Sequence, residues 1–237
     1  PMTEKGEFMP FSIGCKNLSG KAFLDYADLT ARRAYYSKPG SKERGFGMDF
    51  LWWLWAGRNS PIFGRDRMTT FERRFIADES IWTEAKNPYY TFYNDPAVCD
   101  RMMAEFGLEG PHCHIINGHI PVRLKKGESP IKAGGKLLVI DGGFCKAYQK
   151  TTGIAGYTLI YDSNELCLVA HEPFVGRQDA IRENQDIASS EMTFERLESR
   201  MKIAETDTGR QLQEQIDDLM ALLMAYRSGE IVEEHMV

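Results

Sequence analysis

Apolar residues change their spacing once along this chain, near residue 111, and that change limits the fold more tightly than any single motif. Upstream the spacing is helical. Phe23, Leu24, Tyr26, Leu29, Ala31 and Ala34 share one face of a helix over about 20–36, closed by Lys38-Pro39-Gly40. Met48 to Trp55 is apolar all round, which predicts a helix buried on every side and stopped by Gly57 with Ser60-Pro61. Thr69 or Thr70 is placed to cap a helix through Phe75, and Asp95-Pro96 to open one that runs through Phe106 and ends at Gly107. Residues 1–19 lack periodicity and read as loop or short extended chain.

Downstream, short apolar runs alternate with glycine. Ile115-Ile116, Leu137 to Ile140, Tyr157 to Tyr161 and Leu166 to Ala170 read as strands, and Asp162-Ser163-Asn164 makes residues 157–171 a hairpin. Past Pro173 the chain turns charged, with helices expected over about 191–204 and 208–228. On the second of these, Leu212, Ile216, Leu219 and Leu223 form an apolar stripe that reads as a docking face. The expected class is α+β, with a helical N-terminal half, strands in the middle and helices at the C-terminal end.

Composition narrows the partners. With 43% hydrophobic and 27% charged residues the chain is neither disordered nor a disulfide mini-scaffold, and its formal net charge of −5 argues against nucleic acid or an anionic membrane. Cys15, Cys99, Cys113, Cys145 and Cys167 show no CxxC spacing, so neither paired disulfides nor a zinc ribbon is expected. The longest apolar run, Phe50 to Ala56, falls far short of the roughly 20 residues a membrane helix needs. No signal peptide opens the chain, and the expected compartment is the cytoplasm. The Pro-Met start marks a candidate piece of something longer.

The stretch from Pro111 to Val122, PHCHIINGHIPV, holds three of the five histidines. Imidazole is a neutral nitrogen donor suited to Zn, Mn or Fe, and Gly118 before His119 allows the tight turn that would aim this ring at an ion. His114 is the weaker second candidate, since five residues of unbroken strand point it away from His119; His112 is expected to be exposed. A hydrogen-bonded structural histidine remains the alternative for His119. Next comes a basic strip, Arg123, Lys125, Lys126, Lys132 and Lys136, with Gly134-Gly135 able to bring backbone N–H groups to an anion. A solvated loop is its plainer reading, as it is for Arg65 and Arg67. Asp141, before Gly142-Gly143, is placed to accept from a histidine N–H or to cap a turn.

Other features carry less. Glu191 and Glu195, one helical turn apart, read as a solvated face. Cys145 beside Lys146 lacks the histidine and third group that a thiolate nucleophile requires. Walker, Rossmann and GxSxG signatures are missing from the sequence.

Residues 114–163, HIINGHIPVRLKKGESPIKAGGKLLVIDGGFCKAYQKTTGIAGYTLIYDS, resemble the characteristic block of the class III fructose-1,6-bisphosphatases of Firmicutes. FLWWLWAG, SPIFGRDRMTTFERRFI and KNPYY resemble further segments of that family, and Gly118-His119 before the VIDGG strand is similar to the last motif of calcineurin-like metallophosphatases. The resemblance implies a two-layer β-sandwich flanked by helices, a dinuclear Mn2+ centre, and hydrolysis of fructose 1,6-bisphosphate in gluconeogenesis. It implies His119 as one metal ligand, with His114 weaker, and substrate contacts from Arg123, Lys132, Lys136 and Lys146. Asn117 and Asp141 would stand behind them; no residue is assigned the catalytic step.

The family's DxH, GDxxDRG and GNHE-type motifs do not occur here, so the chain reads as the C-terminal portion of the enzyme, inactive alone. Residues 1–110 would be a helical insertion or cap, 111–175 the sandwich strands, and 176–237 the terminal helices. The sugar bisphosphate and the upstream part of the same protein are the implied partners; a second copy of the chain is a further candidate. Two other readings stand beside this one: a regulatory or oligomerisation module, and a metallophosphatase for another phosphoester.

Overall fold

The structure, a computed structural model, describes residues 1–57, 60–62, 64–154, 156–174, 176–184 and 189–232. The chain divides into two units, Pro1–Asp141 and Gly142–Val237. In the first, strands β1 (Phe11–Ile13) and β2 (Lys16–Leu18) form an antiparallel hairpin that pairs Phe11 with Leu18. Helices α1 (Gly20–Tyr36) and α2 (Lys42–Ala56) follow, and the Ser41 side chain accepts from the Arg44 N–H to cap the second. Phe11, Phe23, Phe50 and Leu54 are the buried centre, with Trp53 and Tyr26 packed against it. The Phe11 and Phe23 rings lie 4.8 Å apart and Trp53 meets Phe23 edge-on.

Helix α2 begins six residues before the apolar run and is not buried all round. Gly47, Phe50 and Leu54 face inward, while Met48, Trp52 and Trp55 are 60%, 66% and 67% exposed. An uninterrupted apolar run contains no stripe to mark its inner face, and here α1 and the β1–β2 hairpin cover one side.

Three short helices, α3 (Glu72–Phe75), α4 (Tyr89–Phe92) and α5 (Pro96–Glu105), lead to the first mixed sheet. Asp95 caps α5 as its Asp-Pro start predicts, accepting from the Ala97 N–H at 2.9 Å. Thr69 does not cap α3. Its buried hydroxyl donates to Glu84 Oε1 at 2.8 Å, so the group expected at a helix end is drawn into a tertiary bond. Strands β3 (Ile115–Asn117), β4 (Ile131–Lys132) and β5 (Leu137–Val139) take the order β3-β5-β4, with β3 parallel and β4 antiparallel to a fully buried β5.

The second unit holds α6 (Lys146–Thr152), β6 (Gly156–Tyr161), β7 (Glu165–His171), α7 (Arg177–Glu183), β8 (Ser189–Arg196) and α8 (Asp207–Ser228). The expected hairpin is β6–β7, and the apolar stripe of α8 lies exposed. The helix expected over 191–204 is replaced by β8. It pairs antiparallel with β7, setting Met192 opposite Leu168 and Glu191 opposite Val169, so Glu191 and Glu195 sit on a strand. Helix-forming residues yield here to an available sheet edge. Helices and three small sheets together make the chain α+β.

Gly47 lets the first two helices touch. A Cβ built there would lie 2.1 Å from the Ala34 Cβ. Gly47→Val is therefore expected to destabilise the chain by about 1–3 kcal/mol through overpacking, read as a lower urea midpoint; an unchanged midpoint would mean the crossing is not close-packed.

Candidate functional site

Strand β3 delivers His119. The chain is held on both sides of this residue: Ile140 donates its N–H to the Asn117 carbonyl at 2.9 Å, and Val122 to the Asp141 carbonyl at 2.7 Å. Between these anchors the Ile120 N–H reaches the Gly118 carbonyl at 2.9 Å, and His119 at the centre has φ 69°. An i to i+2 bond around a positive central φ is the rarer, strained hand of the γ-turn. The sequence reading puts the conformational demand on Gly118; the structure puts it on His119, a residue type that tolerates the left-handed region better than most. The tight turn leaves the His119 residue exposed at the strand's end.

Beside it lies a cavity of about 330 Å³ whose lining includes Asn117, His119, Arg123 and Lys132 together with Lys86, Tyr89, Tyr90 and Tyr93. The tyrosines come from α4 and its exit. Asn87 Oδ1 accepts from the Tyr89 N–H at 2.9 Å and Pro88 sets the entry, so KNPYY is a helix start that puts aromatic rings at i, i+1 and i+4. These rings pack on one another with centroids 5.5–6.2 Å apart. Asn117 Nδ2 donates to the Tyr89 hydroxyl at 2.5 Å, tying the cluster to β3. Burial pushes the Tyr89 and Tyr90 phenols above their ordinary range, with the Asn117 bond opposing it at Tyr89, so both stay neutral at physiological pH.

Two ammonium groups rest on this cluster, Lys86 Nζ 5.7 Å from the Tyr90 centroid and Lys132 Nζ 5.0 Å from that of Tyr93. Glu128, the cavity's one carboxylate among the described residues, accepts from the Arg123 N–H at 2.9 Å. The cavity is thus biased toward anions.

The other sequence candidates lie elsewhere. His114 Nδ1 donates to the Gly135 carbonyl at 2.9 Å, at the far end of β3 from His119. At about 3.3 Å per extended residue their backbones stand up to roughly 16 Å apart. Gly134 and Gly135 turn the chain at φ 64° and 97°, away from the cavity lining. Lys136 is ion-paired with Asp100 at 2.7 Å and lines a different cleft. The Asp141 carbonyl anchors Val122, and Lys146 opens α6 in the second unit. Arg65 pairs with Glu84, and Arg67 with Asp66. All five cysteines are free, and burial followed by the Asp100 and Asp95 charges pushes the Cys99 thiol up to about 11. Among the described residues no three His, Cys, Asp or Glu side chains gather as a metal site would require. Lys86 and the tyrosines were missed as site residues, and the Asn-Pro helix start followed by paired tyrosines was the available signal.

A strand-end imidazole beside an aromatic, cation-lined cavity defines a protein suited to an anionic ligand with an organic body. The family model for Firmicute fructose-1,6-bisphosphatase matches residues 1–228, and the chain belongs to that family. Fructose-1,6-bisphosphatase class 3 of Clostridium botulinum (strain Hall) is 51% identical over 235 residues, covering 99% of this chain and 35% of that protein. The protein of that name from Bacteroides fragilis is 51% identical over 234 residues, with the same two coverages. This chain therefore spans about a third of the length of these curated relatives. No solved structure matches it.

Strain at His119 has a measurable consequence. Both His119→Gly and His119→Ala remove the imidazole, but glycine adopts the turn freely, so the Gly variant is expected to be more stable than the Ala variant by about 1 kcal/mol. Urea unfolding of the two proteins checks this, and equal midpoints would rule out a strained turn.

Proposed function

We propose that this chain is the C-terminal part of a class 3 fructose-1,6-bisphosphatase, which hydrolyses fructose 1,6-bisphosphate to fructose 6-phosphate and phosphate. The observation behind the reading is the meeting, in a chain of this family, of the His119 turn with Arg123 and Lys132 around one cavity. Arg123 and Lys132 would hold phosphate oxygens by charge-assisted hydrogen bonds. Asn117 would keep its place through the Tyr89 hydroxyl, whose neutral state avoids repelling the ester.

A divalent ion, proposed as Mn2+, would take from this chain the exposed His119 imidazole and its remaining ligands from other parts of the longer protein. When bound it would supply positive charge to the phosphoryl oxygens and acidify a water. His114, held to Gly135, is the weaker ligand candidate, and Lys136, Lys146 and Asp141 are proposed from the sequence without a place in the lining of this cavity. In the same reading residues 1–110 form a mainly helical cap, 111–175 contribute strands to a metallophosphatase sandwich, and 176–237 supply the terminal helices with β8 between them. No helix among the described residues is long and apolar enough to cross a membrane. A cytoplasmic setting suits a sugar phosphate as substrate and five thiols left unpaired.

The whole protein containing this chain is expected to release phosphate from fructose 1,6-bisphosphate with Mn2+, the 237-residue chain alone to release none, and His119→Ala in the whole protein to lower kcat/KM by at least about 100-fold. Phosphate release by the isolated chain at the rate of the whole protein would sink the split-site reading. Failure of the whole protein on this substrate would turn attention to another phosphoester.

One observation favours an additional assembly role. Leu212, Ile216, Leu219 and Leu223 lie exposed on α8 at the four-three-four spacing of a two-helix seam, for which a second copy of the chain is the proposed occupant. Light scattering after size exclusion should then show a dimer that Leu219→Glu disperses; a wild-type monomer removes the role.

A further inference from the structure

Lys86 lies outside the basic strip at 123–136, and its backbone is held on the cavity wall by pairing with another segment. Residues 64–66 clip against 85–87: Asp66 donates its N–H to the Ala85 carbonyl and Asn87 to the Gly64 carbonyl, each at 3.0 Å, with a bridge pairing Arg65 and Lys86. Glu84, one residue before this clip, is bonded to Thr69 and ion-paired with Arg65. Gly64 has φ 68°, and a Cβ there would stand 2.9 Å from the Tyr90 hydroxyl, so the clip also brings the chain against the ring on which Lys86 rests. The second ammonium, Lys132, enters from β4 and rests on Tyr93, whose centroid is 6.2 Å from that of Tyr90. One aromatic cluster thus carries two cations that reach it from different parts of the chain.

Two separately anchored cations bracketing neighbouring rings match a ligand with two anionic groups on one carbon framework. From this arrangement we propose that Lys86 is a specificity residue that holds the second, non-reacting phosphate of a sugar bisphosphate, with Tyr90 and Tyr93 as the platform under the sugar. The assignment rests on the proposed phosphatase reading and names the part of that site which distinguishes a bisphosphate from a monophosphate. The reacting phosphate lies toward His119, Arg123 and Lys132; Lys86 makes no contact with the bond that breaks. Loss of its charge therefore weakens binding of substrate and transition state alike, which raises KM and leaves kcat in place. Tyrosine faces suit the sugar because they offer apolar contact beneath C–H groups, and burial, by pushing the Tyr90 phenol up, keeps a negative charge away from the phosphates there.

The test uses the whole protein, with fructose 1,6-bisphosphate and a hexose monophosphate as paired substrates. Lys86→Met should raise KM for the bisphosphate by about tenfold or more, with kcat within about twofold of wild type and the monophosphate KM unchanged. Lys86→Arg should restore most of the affinity, which a merely structural role for the lysine stem would not require. An unchanged bisphosphate KM in Lys86→Met, or equal losses for both substrates, overturns the assignment. Should Lys86→Met fail to fold, Lys86→Gln and Lys86→Arg give the same comparison of charge lost against charge kept. A wild-type protein that hydrolyses neither substrate would instead defeat the underlying phosphatase reading, and a His119→Ala variant of full activity would defeat the placing of the reacting phosphate toward His119.

Discussion

Parallel pairing of β3 with β5 is the constraint on which the candidate site depends. A two-residue crossover cannot join parallel strands, so the chain between Asn117 and Leu137 must travel out and back. Its excursion is what brings Arg123 and Lys132 to the cavity. Backbone hydrogen bonds hold the chain before the turn at Asn117 and after it at Val122, and only the short stretch between them is left to bend. His119 takes up that bend with a positive φ. A flexible loop would leave the imbalance to be shared among many residues; two fixed anchors concentrate it on one, which also fixes the direction in which the ring leaves the backbone.

A second tie runs from the same strand to the aromatic cluster. The Asn117–Tyr89 bond joins β3 to α4, and α4 is itself started by Asn87 and entered from residues 85–87, which clip against 64–66. Each connection is modest in isolation, on the order of 1 kcal/mol for a typical internal hydrogen bond. In series they specify the relative placement of a histidine, a tyrosine trio and two lysines drawn from residues 86–132 of the sequence. Replacing one residue in such a series shifts the others, so its effect on binding need not equal the energy of its own contact.

The sequence was most informative where local chemistry decides structure. Helix α1 and the Asp95-Pro96 start of α5 were legible from caps and spacing, and the β6–β7 hairpin from its Asp-Ser-Asn turn. It misled where a tertiary neighbour decides. Residues 189–196 contain good helix formers, and pairing with β7 makes them a strand. Thr69 has the side chain of a cap, and Glu84 claims it. The site shows the same division: Asn117, His119, Arg123 and Lys132 stood out as a glycine-punctuated histidine and basic pattern, while Lys86 and the tyrosines did not, because a lysine near paired tyrosines is unremarkable until the fold stacks one on the other.

Lysines in the basic strip have two distinct fates, and the difference is physical. Lys136 is matched by the Asp100 carboxylate, a pairing that neutralises its field at short range and ties α5 to the start of β5. Lys132, four residues earlier, is held by the face of Tyr93, and Lys86 by that of Tyr90. A ring face restrains an ammonium through its quadrupole without cancelling the charge. Such a lysine loses conformational freedom before a ligand arrives, and so gives up less entropy when an anion binds, yet its full charge remains available to that anion. Carboxylate pairing would provide the restraint and remove the attraction. Tyrosine in place of aspartate beneath Lys86 and Lys132 thus leaves two restrained positive charges on one wall of the cavity.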